Sequence, residues 1–202
     1  MPAALFPLIS ALDLNMKYDP EIFRNQFPIA KEFVFHLTYY RALHKAYSES
    51  GLKSEFWKYT IDSHLLQAAI KWCKVFGSHS HNETHWKKLN PDDEKEIRDC
   101  FIDSLNKSQG IDLKQWEVYW KEMTDFRNKY VAHTEIGFTA PVPDFTKAMN
   151  IVLFYDTWIR KIISPDYLAE GSLKLFSENL AKKIEQPLKH LVIGTAKKLN
   201  GI

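Results

Sequence analysis

A helical spacing of apolar residues runs through most of this chain and constrains its fold more than any other feature. In the segment FVFHLTYYRALHKAY, large apolar side chains recur every three to four residues, which is the period of an amphipathic α-helix. Glycine is scarce, at 7 of 202 residues, and no segment shows the strict alternation of a half-buried strand. We therefore predict an all-α protein, an antiparallel bundle of four to five long helices with a C-terminal helical extension.

Length and composition indicate one domain. With 202 residues, of which 45% are hydrophobic and 26% charged, the chain is long enough to bury one substantial core. No linker or internal repeat divides it. We expect a single domain over residues 1–202, with a bundle core at about 28–163 and C-terminal helices at about 170–200.

Proline, glycine and capping residues predict where each helix begins and ends. Asn90, followed by Pro91 and acidic residues, is a strong start signal, because it joins a cap, a first-turn proline and charges that suit the helix dipole. Pro187 predicts a break, because proline removes a hydrogen bond inside a helix. The predicted helices run from Pro28 to Ser50, from after Ser54 to Gly77, from Asn90 to Leu105, from Asp112 to Gly137, from Phe145 to Pro165, and from Ser172 onward with the break.

The same spacing predicts the buried faces. The third helix buries Ile97, Cys100 and Phe101. The inward set of the second helix is Phe56, Tyr59, Ser63, Leu66, Ile70 and Cys73, with Leu65, Ala69, Trp72 and Phe76 beside it. The inward set of the fourth helix is Trp116, Tyr119, Trp120, Met123, Phe126 and Tyr130.

Charge and cysteine content limit the class of protein. The formal net charge is +2, far from the basic excess of a dedicated nucleic-acid binder, so a local patch has to hold any RNA. Cys73 and Cys100 lie far apart inside apolar helical patterns, as free thiols in a reducing compartment do. No apolar run approaches the roughly 20 residues that span a bilayer. We expect a soluble, cytoplasmic protein without membrane contact.

The segment FRNKYVAHTE places Arg127 and His133 at the end of the fourth helix. On a straight helix these residues lie roughly 120° apart in azimuth and roughly 9 Å apart in rise, so they do not share a face. In a structural interpretation, Arg127 pairs with Asp62 or Asp156, and His133 favours the negative end of the helix dipole. In a chemical interpretation, Arg127 binds a phosphate and His133 moves protons near neutral pH.

The segment FRNKYVAH resembles the motif of the HEPN superfamily, in which an arginine, often followed by a polar residue, precedes a histidine by four to six positions. Arg127, Asn128 and His133 occupy these places. The segments SEFWKYTIDSHLLQAAIKWCKVFG and SHNETHWKKL are also similar to the second helix and the following loop of its abortive-infection branch. The resemblance covers roughly residues 28–162.

This resemblance implies a metal-independent endoribonuclease that needs no cofactor and serves as a toxin or antiphage effector. His133 would be the general base that activates a ribose 2′-OH, Arg127 would hold the phosphate, and Asn128 would orient either group. The family forms a homodimer with a composite site, and its partners include an antitoxin or a nucleotidyltransferase. A non-catalytic HEPN module that binds RNA or a protein remains an alternative.

The segment SHSHNETHWKKLN is predicted to be a loop, and it carries further candidate residues. Trp86, Lys87 and Lys88, together with Lys129 beside the motif, are candidates for RNA contact. An ordinary polar connection anchored by Trp86 is the competing interpretation. A second alternative function comes from the spacing of His79, His81 and His85, which suits a zinc site if the loop folds back, although no metal is expected. On the second helix, His64 is predicted to be a satisfied histidine between helices.

Overall fold

The structure is a computed structural model that describes residues 18–90, 92–132, 141–162 and 170–199. Within these ranges the chain is helical and forms no strand, which confirms the all-α prediction there. None of the described helices is both long and apolar enough to cross a membrane. The helices are α1 (Pro20–Ser50), α2 (Glu55–Phe76), α3 (Glu94–Gln109), α4 (Leu113–Phe126), α5 (Phe145–Ile162) and α6 (Leu173–Leu199).

The first helix begins earlier than the predicted start at Pro28. The carboxylate of Asp19 caps α1 by accepting a hydrogen bond from the backbone N–H of Glu21 at 2.8 Å, and Pro20 occupies the first turn. This is the same cap-and-proline signal that we assigned eight residues too late. Pro28 is tolerated inside the helix because it is exposed, so the carbonyl of Arg24 that loses its partner can bind water.

The predicted break at Pro187 is also wrong, because α6 continues through it. Pro187 and Lys183 are both exposed, so the carbonyl of Lys183 that lacks a helical partner lies on the solvent side. On the other side of the helix, Ile184 and Leu188 are buried in a small apolar cluster with α1 and α2. Burial of Ile184 before the proline and of Leu188 after it stabilises the helix through Pro187.

Helices α1 and α2 form an antiparallel hairpin. Gly51 ends α1 with a positive φ of 66°, a conformation that glycine adopts without steric cost. An ion pair between Lys71 and Glu32 and a hydrogen bond between the Nδ1 atoms of His36 and His64, 3.0 Å apart, hold the two helices in register. The prediction that His64 is satisfied between helices is confirmed.

The first turns of α2 bury a different face from the predicted one. Phe56 and Tyr59 are 69% and 74% exposed, whereas Trp57 and Ile61 are buried. Trp57 and Ile61 pack in the cluster that also contains Ile184 of α6. The spacing alone did not reveal which apolar row α6 covers.

Helices α5 and α6 pack on α1 in opposite directions. Tyr155 donates a hydrogen bond to Gln26 at 2.6 Å and Arg41 donates to the carbonyl of Phe145 at 3.4 Å, so α5 runs antiparallel to α1. Contacts of Lys31 with Glu170 and of Thr38 with Ser177 show that α6 runs parallel to α1. The C-terminal helix, predicted as a helical extension, therefore packs along the first helix of the bundle.

Capping residues start α3 and α4. The cap of α3 is Asp93, which accepts from Glu96 N at 2.8 Å, while the predicted cap Asn90 accepts from Asp93 N at 3.1 Å just before it. The cap of α4 is Asp112, as predicted, in a capping box with Gln115.

The predicted ends of three helices have different outcomes. Helix α3 ends at Gln109 before Gly110, four residues beyond the predicted Leu105, because Gly110 supplies the left-handed residue that stops a helix. The ends predicted at Gly137 and Pro165 lie outside the described residues.

An aromatic core joins α2, α3, α4 and α5 to the loop between α2 and α3. The rings of Trp86 and Phe101 lie 4.6 Å apart, and Phe76 contacts Tyr155 edge-to-face at 5.2 Å. Trp116 contacts three of these rings from α4. This core fixes the loop against the start of α4.

Candidate functional site at the end of the fourth helix

The motif segment does not continue α4 as a regular helix. Helix α4 ends at Phe126, and Arg127–Ala132 form a π turn, in which backbone hydrogen bonds span five residues in place of four. The backbone N–H of Arg127 donates to the carbonyls of both Met123 and Thr124 at this change of winding. Isolated π turns inside helices occur frequently at functional sites.

The π turn changes which side chain faces the core. Phe126 is buried, but Tyr130, predicted to lie inward, is 59% exposed and stacks on the ring of Phe126 at 5.3 Å. Val131 packs partly against the core in its place. The π turn adds one residue to the winding, so the inward position after Phe126 moves from four residues ahead to five.

Arg127 is half-buried on the π turn. Its Nε is buried, and among the described residues it has no hydrogen-bond partner; the other such side-chain atoms are tryptophan nitrogens. The guanidinium lies beside Cys73 of α2. Burial raises the pKa of the Cys73 thiol to about 11, against the opposing effects of the Arg127 charge and hydrogen bond. The thiol is therefore protonated at neutral pH and does not neutralise the arginine.

The predicted carboxylate partners do not pair with Arg127. Asp156 is buried and accepts hydrogen bonds from Arg160 Nε and from the backbone N–H of Leu173, both at 2.9 Å. Asp62 is exposed on α2 and forms no ion pair within the described chain. In the same part of the chain, no carboxylate lies within ion-pair distance of Arg127.

The other motif residues are described only in part. Asn128 and Lys129 are half-buried on the same π turn. His133 lies outside the described residues.

The predicted loop is a folded connection with a short 3₁₀ turn at Trp86–Leu89. Trp86 is 1% exposed, so its ring cannot serve as a stacking surface for RNA, and the interpretation of Trp86 as an anchor is correct. Lys88 pairs with Glu94 at 3.0 Å. Lys87 is half-buried and lies over the Trp86 ring, 5.8 Å from its centroid.

The loop histidines are not arranged as a zinc site. His85 is 2% exposed; its Nε2 contacts the carbonyl of Gly77 at 3.1 Å and its Nδ1 accepts from the backbone N–H of Lys87 at 3.3 Å. Both ring nitrogens are thus used by the backbone. His79 pairs with Glu94, and His81 is exposed. No group of three or more metal-binding side chains occurs in the described ranges.

Burial dominates the charge state of His85. It lowers the pKa of His85 to about 3, and the nearby charges of His79 and Lys87 act in the same direction. His85 is therefore a neutral hydrogen-bonding residue that ties the loop to the end of α2.

The structure also brings Lys87, Arg98 and Trp120 together in the lining of one cavity, a second cluster that no local sequence pattern indicates. They belong to the loop, α3 and α4. Arg98 was not a candidate, and Trp120 was expected to be an ordinary core residue. No short motif could have connected positions so far apart in the chain.

These two places, the π turn and the cavity beside the loop, belong to an all-α bundle whose relatives are not identified. No family model matches the chain, and no curated protein or solved structure matches it.

Proposed function

We propose that the protein is a metal-independent endoribonuclease of the HEPN type, in which Arg127 binds the scissile phosphate and His133 is the general base. The observation that carries the proposal is the buried Nε of Arg127, which lacks a hydrogen-bond partner among the described residues. A buried donor without a partner costs free energy. A phosphate oxygen would satisfy it, and a guanidinium binds phosphate through a planar fork of donors.

The chemistry follows from these two side chains. His133 takes the proton of a ribose 2′-OH, and the 2′ oxygen forms a bond to phosphorus while the bond to the 5′ oxygen breaks. The products are a 2′,3′-cyclic phosphate and a 5′-hydroxyl, which receives a proton. Arg127 stabilises the negative charge that grows on the phosphate oxygens. DNA lacks the 2′-OH and is not a substrate.

The proposal includes a homodimer and a role in toxin or antiphage defence. The six-residue offset of Arg127 and His133 favours a site that takes its groups from two chains related by two-fold symmetry. An antitoxin or a nucleotidyltransferase would be the regulating partner. Asn128, on the same turn, would orient the phosphate or the histidine.

The direct test is cleavage of a structured RNA in EDTA by the wild type, Arg127→Ala and His133→Ala. We expect each variant to lose about 10²-fold or more in rate, which is the usual contribution of a general base. The matched controls are Arg24→Ala and His190→Ala, which change exposed residues on α1 and α6. Equal cleavage by all five proteins, or cleavage by none, would overturn the proposal.

A mixed dimer tests the composite site. Arg127→Ala and His133→Ala chains are unfolded, mixed and refolded together, so that some dimers contain one chain of each. If a site takes Arg127 from one chain and His133 from the other, one site in each mixed dimer is intact and activity returns. A mixture as inactive as its components would show that both groups come from the same chain.

A further inference from the structure

A cavity of about 220 Å³ lies between the loop and the first turns of α4. We refer to it as the loop pocket. It is separate from Arg127, since Trp120 on its wall is seven residues earlier in the chain, or roughly 10 Å along a helix. Its lining residues include Lys87 from the loop, Arg98 from α3, and Leu113, Glu117 and Trp120 from α4.

Two cations, Lys87 and Arg98, line the loop pocket, and their pairing with described carboxylates is weak. Among the described residues no carboxylate lies within ion-pair distance of Lys87, and the nearest carboxylate oxygen to Arg98 is 3.9 Å away on the adjacent Asp99. Burial lowers the pKa of Lys87, and repulsion from Arg98 lowers it further, while the charge of Glu94 acts in the opposite direction. Two like charges held beside one cavity disfavour each other, and a bound anion would relieve both.

The acidic groups near the loop pocket do not supply that anion. Glu94 is engaged by Lys88 and His79, both at 3.0 Å. Glu117 lines the pocket from the exposed side of α4 and forms no ion pair within the described ranges. Apart from its two histidines, the lining carries two positive charges, on Lys87 and Arg98, and one negative charge, on Glu117.

The pocket lining also contains an aromatic ring that is fixed in place. The indole Nε1 of Trp120 donates to the carbonyl of Gly77 at 3.1 Å, which holds the half-buried ring at the pocket. Trp116 lines the pocket as well and belongs to the aromatic core. A fixed indole beside cations suits a planar ring that carries a negative group.

We propose that the loop pocket binds one nucleotide unit, with the phosphate between Lys87 and Arg98 and the base against Trp120. At about 220 Å³ the pocket is smaller than the roughly 300–1,000 Å³ of most small-molecule sites, so it would hold part of one nucleotide and leave the rest in solvent. The nucleotide could come from a free nucleoside monophosphate or from one position of an RNA strand. The site does not require that the protein cleave RNA.

Calorimetric titration of the full chain tests this proposal with three probes: adenosine 5′-monophosphate, inorganic phosphate, and a ten-residue 2′-O-methyl oligoribonucleotide. The 2′-O-methyl strand cannot be cut, so this result is independent of the ribonuclease proposal. Binding of the monophosphate identifies a free nucleotide as sufficient. Binding of the strand alone identifies RNA as the source.

Lys87→Gln and Arg98→Gln are each expected to weaken binding by at least about tenfold, because each removes a charged contact to phosphate. Lys95→Gln is the matched control, because Lys95 is an exposed lysine of α3 that does not line the pocket. Lys87→Gln removes a repulsion and also a contact with the Trp86 ring, so its thermal midpoint should stay close to that of the wild type. Absence of binding by all three probes, or equal binding by Lys87→Gln and Lys95→Gln, would overturn the proposal.

Discussion

His85 and Arg127 are polar side chains that both lie beside α2, near Gly77 and Cys73 respectively, and their surroundings are opposite. The loop around His85 satisfies both ring nitrogens through Gly77 and Lys87. The π turn leaves the buried Nε of Arg127 without a partner in the described chain. A satisfied buried group stabilises a fold, whereas an unsatisfied one costs free energy. We infer that His85 serves the structure and that Arg127 is retained to contact a ligand.

The largest expected effect comes from His85→Ala, which should lower the free energy of unfolding by about 3 kcal/mol. The change leaves a cavity against Trp86 and removes both contacts to the backbone. Chemical denaturation of the two proteins measures the difference. His190→Ala, on the exposed side of α6, is the control and should change stability little. If His85→Ala changed the free energy of unfolding as little as His190→Ala, a structural role for His85 would be contradicted.

Gly77→Ala tests the contact between His85 and the carbonyl of Gly77 from the glycine side. We expect it to lower the free energy of unfolding by roughly 2–3 kcal/mol. An added Cβ would lie 2.4 Å from the carbonyl oxygen of Cys73, so backbone has to move at the residue that anchors His85 and Trp120. Thermal unfolding with Gly194→Ala as a control checks this, because no atom lies within 4 Å of a Cβ there. Equal midpoints for the two variants would show that the end of α2 adapts freely.

The pH dependence of stability should also distinguish His85. Its pKa is about 3 in the folded state, against about 6.5 in an unfolded chain. The unfolded state therefore binds the proton more readily, and stability falls as the pH drops below about 6.5. When the pH is lowered from 7 to 5, we expect protonation of His85 in the unfolded state to lower the free energy of unfolding by about 2 kcal/mol.

The variant His85→Gln isolates this contribution, since glutamine does not titrate. Denaturation at pH 7 and at pH 5 should show a smaller difference in this variant than in the wild type. Lowered pKa values of His36 and His64, caused mainly by burial, add a loss in the same direction to both proteins. The same pH dependence in both proteins would mean that His85 is not held neutral in the fold.

Arg127→Met should have the smallest effect on stability, within about 1 kcal/mol of the wild type and in the stabilising direction. Methionine fills the volume and removes a buried donor, Nε, that lacks a partner among the described residues. Arg160→Met is the matched control. It should lower the free energy of unfolding by about 3 kcal/mol, because the buried Asp156 loses its ion-pair partner. Comparable losses in both variants would indicate that Arg127 is a structural residue after all.

Local signals predicted several parts of this fold. Asp112 and Gln115 form a capping box that involves only neighbouring residues, so the start of α4 follows from the sequence. Gly77 ends α2 where it was expected. Trp86 anchors the loop because a large apolar side chain in a polar segment has a strong tendency to be buried.

The misassigned features depend on packing between distant segments. Phe56 and Tyr59 are exposed because α6 covers the other side of α2. Tyr130 is exposed because a π turn, which has no distinct sequence pattern, shifts the inward position to Val131. The candidate site was predicted at Arg127, but the burial of its Nε without a hydrogen-bond partner among the described residues is a property of the three-dimensional arrangement.

The sequence by itself determined that the chain is helical and where several helices begin, because periodicity and capping act over three or four residues. Only the tertiary structure decided that α1 and α6 continue through Pro28 and Pro187, and that Lys87 and Arg98 line one pocket. The physical reason is that burial and electrostatic pairing depend on groups from distant parts of the chain. A local pattern cannot specify those partners.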